Sequence, residues 1–186
     1  MMRKVSQKII FIDRDGVINK DPIGDYIKRW KDFKFLPRAL KALKKLSDAN
    51  FRIVIISNQA GIGDGVFTKR ALDHITKNML GQLARNKIFV KDVFYCLHGK
   101  QAGCKCRKPE IGLFKKAAQK IKFNKRDTFF IGDKATDIEA GKRYKLKTVY
   151  VLTGHGRYDL KKLTKKLKPD LIAKDLSAAV DTILAF

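Results

Sequence analysis

The strongest constraint on this chain is a run of four apolar residues, Ile9-Ile10-Phe11-Ile12, that stops dead at Asp13-Arg14-Asp15-Gly16. Such a run, without polar alternation, suits a strand covered on both faces of a parallel sheet. The carboxyl end of a strand of this kind is where open α/β sheets bind ligands. Asp13 and Asp15 are two residues apart, close enough to repel unless a cation sits between them or one keeps its proton. A plain turn after a strand also favours Asp and Gly, so this stretch alone does not decide between chemistry and geometry.

The rest of the chain alternates strand and helix signals. Pro37 opens a helix whose leucines at 36, 40, 43 and 46 recur at helical spacing, and Asn50 closes it. Arg52 to Ile56 predicts a second buried strand that delivers Ser57-Asn58-Gln59 into a loop, followed by a glycine-rich turn from Gly61 to Gly65. Thr68 caps a helix with a stripe of Leu72, Ile75, Met79 and Leu83. A third strand is expected at 93–95, a helix starting at Pro109, a fourth strand at 128–131, a helix at 136–144 and a fifth strand at 148–152. A helix near Leu160, an edge strand at Leu171-Ile172 and a last helix from Leu176 to Leu184 complete the pattern. Residues 17–34 have no sustained period and read as a loop. Alternation of this kind means a doubly wound α/β fold, a Rossmann-like parallel sheet with helices on both faces. With 186 residues and no linker or repeat, one domain spanning 1–186 is expected.

Forty-two lysines and arginines against 18 acids give a net charge of +24. A field of that size attracts anions, nucleic acid among them, but the basic residues are spread along the chain rather than gathered in an arm or interleaved with aromatics. A solvated lysine surface that draws in a small phosphorylated substrate is therefore favoured over a nucleic-acid partner. The basic start, Met1 to Gln7, is followed by an apolar run too short for a signal peptide or a membrane span, and a cytoplasmic protein is expected.

All three cysteines, Cys96, Cys104 and Cys106, fall within 96–106 together with His98. Four soft or borderline ligands in one loop match a closed tetrahedral Zn²⁺ site, with Gly99 and Gly103 letting the loop turn. A full shell leaves no open position, so a structural zinc loop is expected, running directly into Arg107 and Lys108. His74 and His155 acquire no role.

Four stretches in order, FIDRDG, then Ser57-Asn58-Gln59, then Arg107-Lys108-Pro109, then Ile131-Gly132-Asp133-Lys134 with Asp137, resemble the four motifs of the haloacid dehalogenase (HAD) superfamily of phosphohydrolases. The resemblance implies an HAD-like sheet with the first strand between the second and fourth, and no large cap domain. It implies Asp13 as nucleophile, Asp15 as acid and then base, and Mg²⁺ held by Asp13, the main-chain carbonyl of Asp15, and Asp133. Ser57 and Lys108 would contact the transferring phosphoryl oxygens, Asn58 and Gln59 would shape the substrate site, Arg107 would read the substrate, and Lys134 would contribute beside Asp133. Asp137 would either support the site or simply be an acid in the first turn of a helix.

The zinc loop narrows the resemblance to the branch that contains the D-glycero-D-manno-heptose 1,7-bisphosphate 7-phosphatases and the histidinol-phosphate phosphatases. The stretch 18–37 and Thr153-Gly154 resemble the heptose enzymes, with Asp21 and Tyr26 in a substrate loop. The five-residue spacer between His98 and Cys104 resembles the histidinol enzymes. The first feature is weighted more heavily, because loop length varies easily. The substrate expected is a sugar bisphosphate. The rivals are a nucleic-acid 3′-phosphatase, which the zinc cluster opposes, and a binding module on a retired phosphatase fold, which the intact acids and lysine oppose.

Overall fold

A computed structural model describes residues 8–186; the basic stretch 1–7 lies outside the described residues. Six strands form one parallel sheet: β1 (Lys8–Ile12), β2 (Phe51–Asn58), β3 (Val90–Cys96), β4 (Phe129–Gly132), β5 (Lys147–Val151) and β6 (Leu171–Ala173). Their spatial order is β3-β2-β1-β4-β5-β6, so the first strand lies between the second and fourth, as expected. Ile12 sits opposite Ile55 of β2 and Ile131 of β4, so Asp13 emerges at the middle of the carboxyl edge.

The strand parity explains the double winding. Ile10 and Ile12 point into one core with residues of α1 (Ala39–Asp48), α3 (Lys69–Arg85) and α7 (Leu176–Leu184). Ile9 and Phe11 point into the other, against α4 (Gly112–Lys120) and α5 (Ala135–Arg143). The second core is aromatic: Phe114 packs edge-on to Phe11 at 5.2 Å and to Phe130 at 5.0 Å, and stacks on Tyr144 at 5.3 Å. Each such side chain contributes roughly 1.5–3 kcal/mol by burial. This fixes β1 in the sheet and leaves Asp13 little freedom to shift.

Thr68 caps α3 by accepting from the Ala71 amide, as predicted, and Asn50 takes the left-handed conformation that ends α1. Four expectations change. Ser57 and Asn58 are the last residues of β2, paired with Tyr95 and Cys96, rather than loop residues. Pro109 does not open α4: the helix begins at Gly112, because residues 105–112 close the cysteine loop through the Gly112 amide, which donates to the Lys105 carbonyl at 3.0 Å. The helix expected near Leu160 is reduced to α6 (Gly156–Asp159) and two short 3₁₀ turns. The glycine-rich turn begins as the short helix α2 (Ala60–Gly63). No helix among the described residues is long and apolar enough to cross a membrane.

Candidate active site

Asp13 leaves β1 with its amide donating to the Ile131 carbonyl at 2.9 Å, which ties it to β4. Asp133 follows β4 directly, so the two carboxylates face each other across one strand boundary. Gly16 takes φ +86°, and a Cβ there would stand 2.1 Å from Asp133 Oδ2; only glycine lets the chain turn this close to the carboxylate. The amide of His155 donates to the same oxygen at 2.7 Å. Asp133 Oδ1 is buried without a hydrogen-bond partner.

Lys108 arrives from the far side of the cysteine loop and is 3% exposed. Its ammonium lies 2.9 Å from Asp13 Oδ1 and 2.6 Å from Asp137 Oδ1, and donates to the Ile56 carbonyl at 3.1 Å. Burial alone would lower its pKa, but the two carboxylates outweigh that and hold it above the ordinary lysine range. Asn58 fixes the Lys108 backbone from both sides, accepting its amide proton at 3.0 Å and donating to its carbonyl at 3.1 Å. Asp137 also accepts from the Lys134 amide at 3.0 Å, so it both caps α5 and anchors Lys108.

Burial pushes Asp13 up to about 6 against the pull of Lys108, which leaves it mostly ionised at pH 7. Burial also lifts Asp133 well above the usual carboxylate range, with Lys134 opposing. Two buried carboxylates raised by desolvation, one with an unpartnered oxygen, fit a hard divalent cation bound through oxygen. Asp13, Asp133 and Asp137 offer oxygens that lie within 4.8 Å of one another. Both Asp137 oxygens are engaged, Oδ1 by Lys108 and Oδ2 by the Lys134 amide, whereas Lys108 takes only Oδ1 of Asp13 and Oδ1 of Asp133 has no partner, so Asp13 and Asp133 are the ones with an oxygen left to ligate.

Asp15 has a different environment. Burial would raise it, but the Arg14 guanidinium and hydrogen bonds from Asn19 and Gln59 hold it below the usual range. Gln59 was expected at the substrate; it is instead buried, donating to Asp15 Oδ2 at 2.7 Å and to Ser57 Oγ at 3.1 Å. This is a correction: the amide is spent inside the protein and does not line the cavity.

A cavity of about 440 Å³ opens over this floor. Asp13, Asp15, Ser57 and Lys108 line its base, and Asp21, Tyr26, Asn58, Arg107 and Lys134 its walls. Asp21 accepts from Lys134 at 2.9 Å and lies 3.2 Å from His155 Nε2, which ties the loop after β1 to the loop after β5. Tyr26 packs on Phe67 at 5.7 Å. Arg107 Nη1 is buried without a partner beside the cavity. Lys100, which was not singled out in the sequence, also lines it, and so does His155, which the sequence reading gave no role. No signal marked Lys100 among so many lysines, whereas His155, two residues after Thr153 at a strand end, offered a positional one. His74 stays on the exposed face of α3, bonded to Asn78.

The four cysteine-loop donors converge. Cys96 Sγ lies 3.6 Å from His98 Nδ1 and 3.6 Å from Cys104 Sγ, and Cys106 Sγ lies 3.2 Å from Cys96 Sγ, 3.7 Å from Cys104 Sγ and 3.2 Å from His98 Nδ1. Zn–S bonds of ~2.3 Å give a tetrahedron with S···S edges of about 3.8 Å, so the cluster has nearly the size that zinc requires. The thiols are free rather than paired as disulfides.

A parallel sheet whose carboxyl edge gathers two buried aspartates, a buried lysine and a strand-end serine defines an HAD-type phosphohydrolase. An HAD-hydrolase-like family model matches residues 105–179. A D-glycero-D-manno-heptose-1,7-bisphosphate 7-phosphatase of Chlorobaculum tepidum is 34% identical over 187 residues, covering 94% of this chain and 93% of the relative. The corresponding Pseudomonas aeruginosa enzyme, named for the β-anomer, is 32% identical over 97% of this chain and 99% of its own. A crystal structure of the D,D-heptose 1,7-bisphosphate phosphatase from B. bronchiseptica, complexed with magnesium and phosphate, superimposes with a TM-score of 0.89 at 30% identity, covering 96% of this chain and 98% of that one. The chain belongs to the HAD superfamily of phosphoric monoester hydrolases, among the heptose bisphosphate phosphatases.

Proposed function

We propose that this protein removes the 7-phosphate of D-glycero-D-manno-heptose 1,7-bisphosphate through an aspartyl-phosphate intermediate. The observation that carries the chemistry is Lys108 held between Asp13 and Asp137 at the base of a cavity walled by Arg107, Lys100 and Lys134. The family supports the sugar. Asp13 attacks phosphorus as the bond to the sugar oxygen breaks, and that oxygen takes a proton from Asp15; the charge of the bound phosphate favours the protonated carboxyl there, against the Arg14, Asn19 and Gln59 contacts that hold it ionised in the free protein. A water then attacks the same phosphorus and gives its proton to Asp15, and Asp13 is released. Lys108 and Ser57 stabilise charge on the phosphoryl oxygens, and the partnerless Arg107 guanidinium suits the second phosphate.

Asp13 and Asp133, with the main-chain carbonyl of Asp15 that the family resemblance implies, would hold Mg²⁺, which would neutralise charge on the transferring group. Zn²⁺ fits Cys96, His98, Cys104 and Cys106, and would hold Arg107 and Lys108 in register. The protein would then act in the cytoplasm on a small sugar bisphosphate, without a membrane partner and with a nucleic-acid partner not favoured.

The test is phosphate release from purified protein with the heptose bisphosphate, histidinol phosphate and a 3′-phosphorylated oligonucleotide. The expected result is the highest kcat/KM on the heptose, with the 1-phosphate retained in the product. A preference for histidinol phosphate or for the oligonucleotide overturns the substrate assignment.

A further inference from the structure

We propose that Arg14 is a positioning residue: together with Asn19 and Gln59 it grips both oxygens of Asp15 and so sets how that carboxylate meets the leaving group. The inference rests on the reading of Asp15 as the group that protonates the departing sugar oxygen.

Arg14 lies between the two site aspartates, yet it is 1% exposed and does not line the cavity. A buried guanidinium is retained only with strong partners. Its partner is Asp15: Nε and Nη2 donate to Oδ1 at 3.1 and 2.9 Å, and Nη2 also reaches Oδ2 at 2.8 Å. The planar fork orients the carboxylate as well as attracting it, which a lysine in this place would not do.

Two amides complete the grip. Asn19 Nδ2 donates to Oδ1 at 2.9 Å and also to the Lys20 carbonyl at 2.9 Å. Gln59 joins Oδ2 to Ser57 Oγ. The Arg14 guanidinium is in turn backed by the Tyr95 ring at 5.7 Å, whose hydroxyl is hydrogen-bonded to Thr76 at 3.0 Å. The assembly is thus anchored in β2, β3 and α3, and of its members only Asp15 and Ser57 reach the cavity. Sub-ångström placement of a proton donor decides its efficiency, so groups that never touch substrate can control this step.

The chemistry supplies a selective test. A sugar alkoxide needs a proton as its P–O bond breaks, whereas p-nitrophenolate leaves without one. Arg14→Met and Gln59→Leu are therefore compared with wild type on the heptose bisphosphate and on p-nitrophenyl phosphate. Loss of leaving-group acid function removes about 10²–10⁴-fold in rate, so Arg14→Met should lose at least about 30-fold in kcat on the sugar phosphate and far less on the aryl ester. Gln59→Leu should show a smaller loss with the same split, and Arg14→Lys should recover the sugar rate only in part. Equal losses on both substrates, or none on either, overturn the proposal. If Arg14→Met does not fold, Gln59→Leu decides by the same ratio. Asp15→Asn is the control. No split there faults the role of Asp15 itself, whereas a split there without one in Arg14→Met and Gln59→Leu faults only the grip.

Discussion

Lys108 Nζ lies 2.6 Å from Asp137 Oδ1 and 2.9 Å from Asp13 Oδ1, one buried cation bridging the first strand's end and the first turn of α5. A motif match cannot distinguish an ordinary helix acid from the anchor of a catalytic lysine; the distance does. Removing one partner of a buried ion pair costs roughly 3–5 kcal/mol, because the other charge stays behind. Asp137 also caps α5 through the Lys134 amide. Asp137→Ala should therefore lower the denaturation midpoint markedly and reduce kcat at least about tenfold, as Lys108 is pulled toward Asp13 alone. Urea titration and steady-state kinetics check this. Wild-type stability with wild-type kcat would show that Asp137 is not needed to hold Lys108.

Asp13→Asn separates catalysis from folding. It removes the nucleophile at constant side-chain volume, so turnover should fall below about one per cent. The pH dependence of stability should change as well. The folded-state pKa of Asp13 is raised from 3.8 to about 6, chiefly by burial. A raised carboxyl contributes stability that is present below the unfolded value and lost as pH rises through the folded one. In chelator, the wild type should thus lose on the order of 3 kcal/mol between pH 4 and pH 7 that Asp13→Asn keeps. Thermal unfolding of both proteins at the two pH values, without divalent cations, measures the difference. Parallel pH curves would show that Asp13 carries no such penalty.

Much of this site was legible in the sequence because strand ends are. Asp13, Ser57 and Asp133 stand at the ends of apolar runs, and three adjacent parallel strands bring such ends to one edge whatever the loops do. The cysteine loop was legible because its four donors are nearly contiguous. The remainder depends on where side chains turn. Gln59 and Asn58 are neighbours, yet one binds Asp15 and the other the Lys108 backbone, since Asn58 is the last residue of β2 and Gln59 already belongs to the turn into α2. Arg14 and His155 act through partners chosen by packing, one beside Asp15 and one clamping Asp133 by its amide. Pro109 was misplaced because Lys105 and Gly112 close a turn that no local propensity announces.

The cysteine cluster makes a prediction about metal content. Cys106 precedes Arg107 directly, and its sulfur is 3.2 Å from Cys96 Sγ at the end of β3. Cys106→Ser should release one zinc per chain and lower activity on the sugar phosphate, with the sheet intact, because no hydrolytic group is removed. Elemental analysis beside activity and far-ultraviolet circular dichroism tests this. Wild-type protein without stoichiometric zinc, or a zinc-free variant of undiminished turnover, refutes the assignment.

The last prediction concerns how the cysteine loop is held against the rest of the site. Gly63, at the end of α2, approaches the loop backbone so closely that a Cβ there would stand 2.1 Å from the Gly99 nitrogen and 2.7 Å from the Leu97 carbonyl oxygen. Both obstacles are main chain and cannot swing aside as a flexible side chain would. The contact is reinforced next door, where the Lys100 amide donates to Asp64 Oδ1 at 3.1 Å. Gly63→Ala must therefore push residues 97–100 away from α2, which moves His98 relative to Cys96 and carries Lys100 out of the cavity wall. Overpacking of this kind costs typically about 1–3 kcal/mol. The variant should hold zinc more weakly against a chelator and show a raised KM for the bisphosphate, with kcat changed less, because Asp13 and Asp133 are on other strands. Gly65→Ala is the matched comparison: a Cβ there meets nothing within 4 Å, although its φ of +71° adds some backbone strain. Equal zinc loss rates in the two variants would mean that the Gly63–Gly99 contact does not support the metal loop.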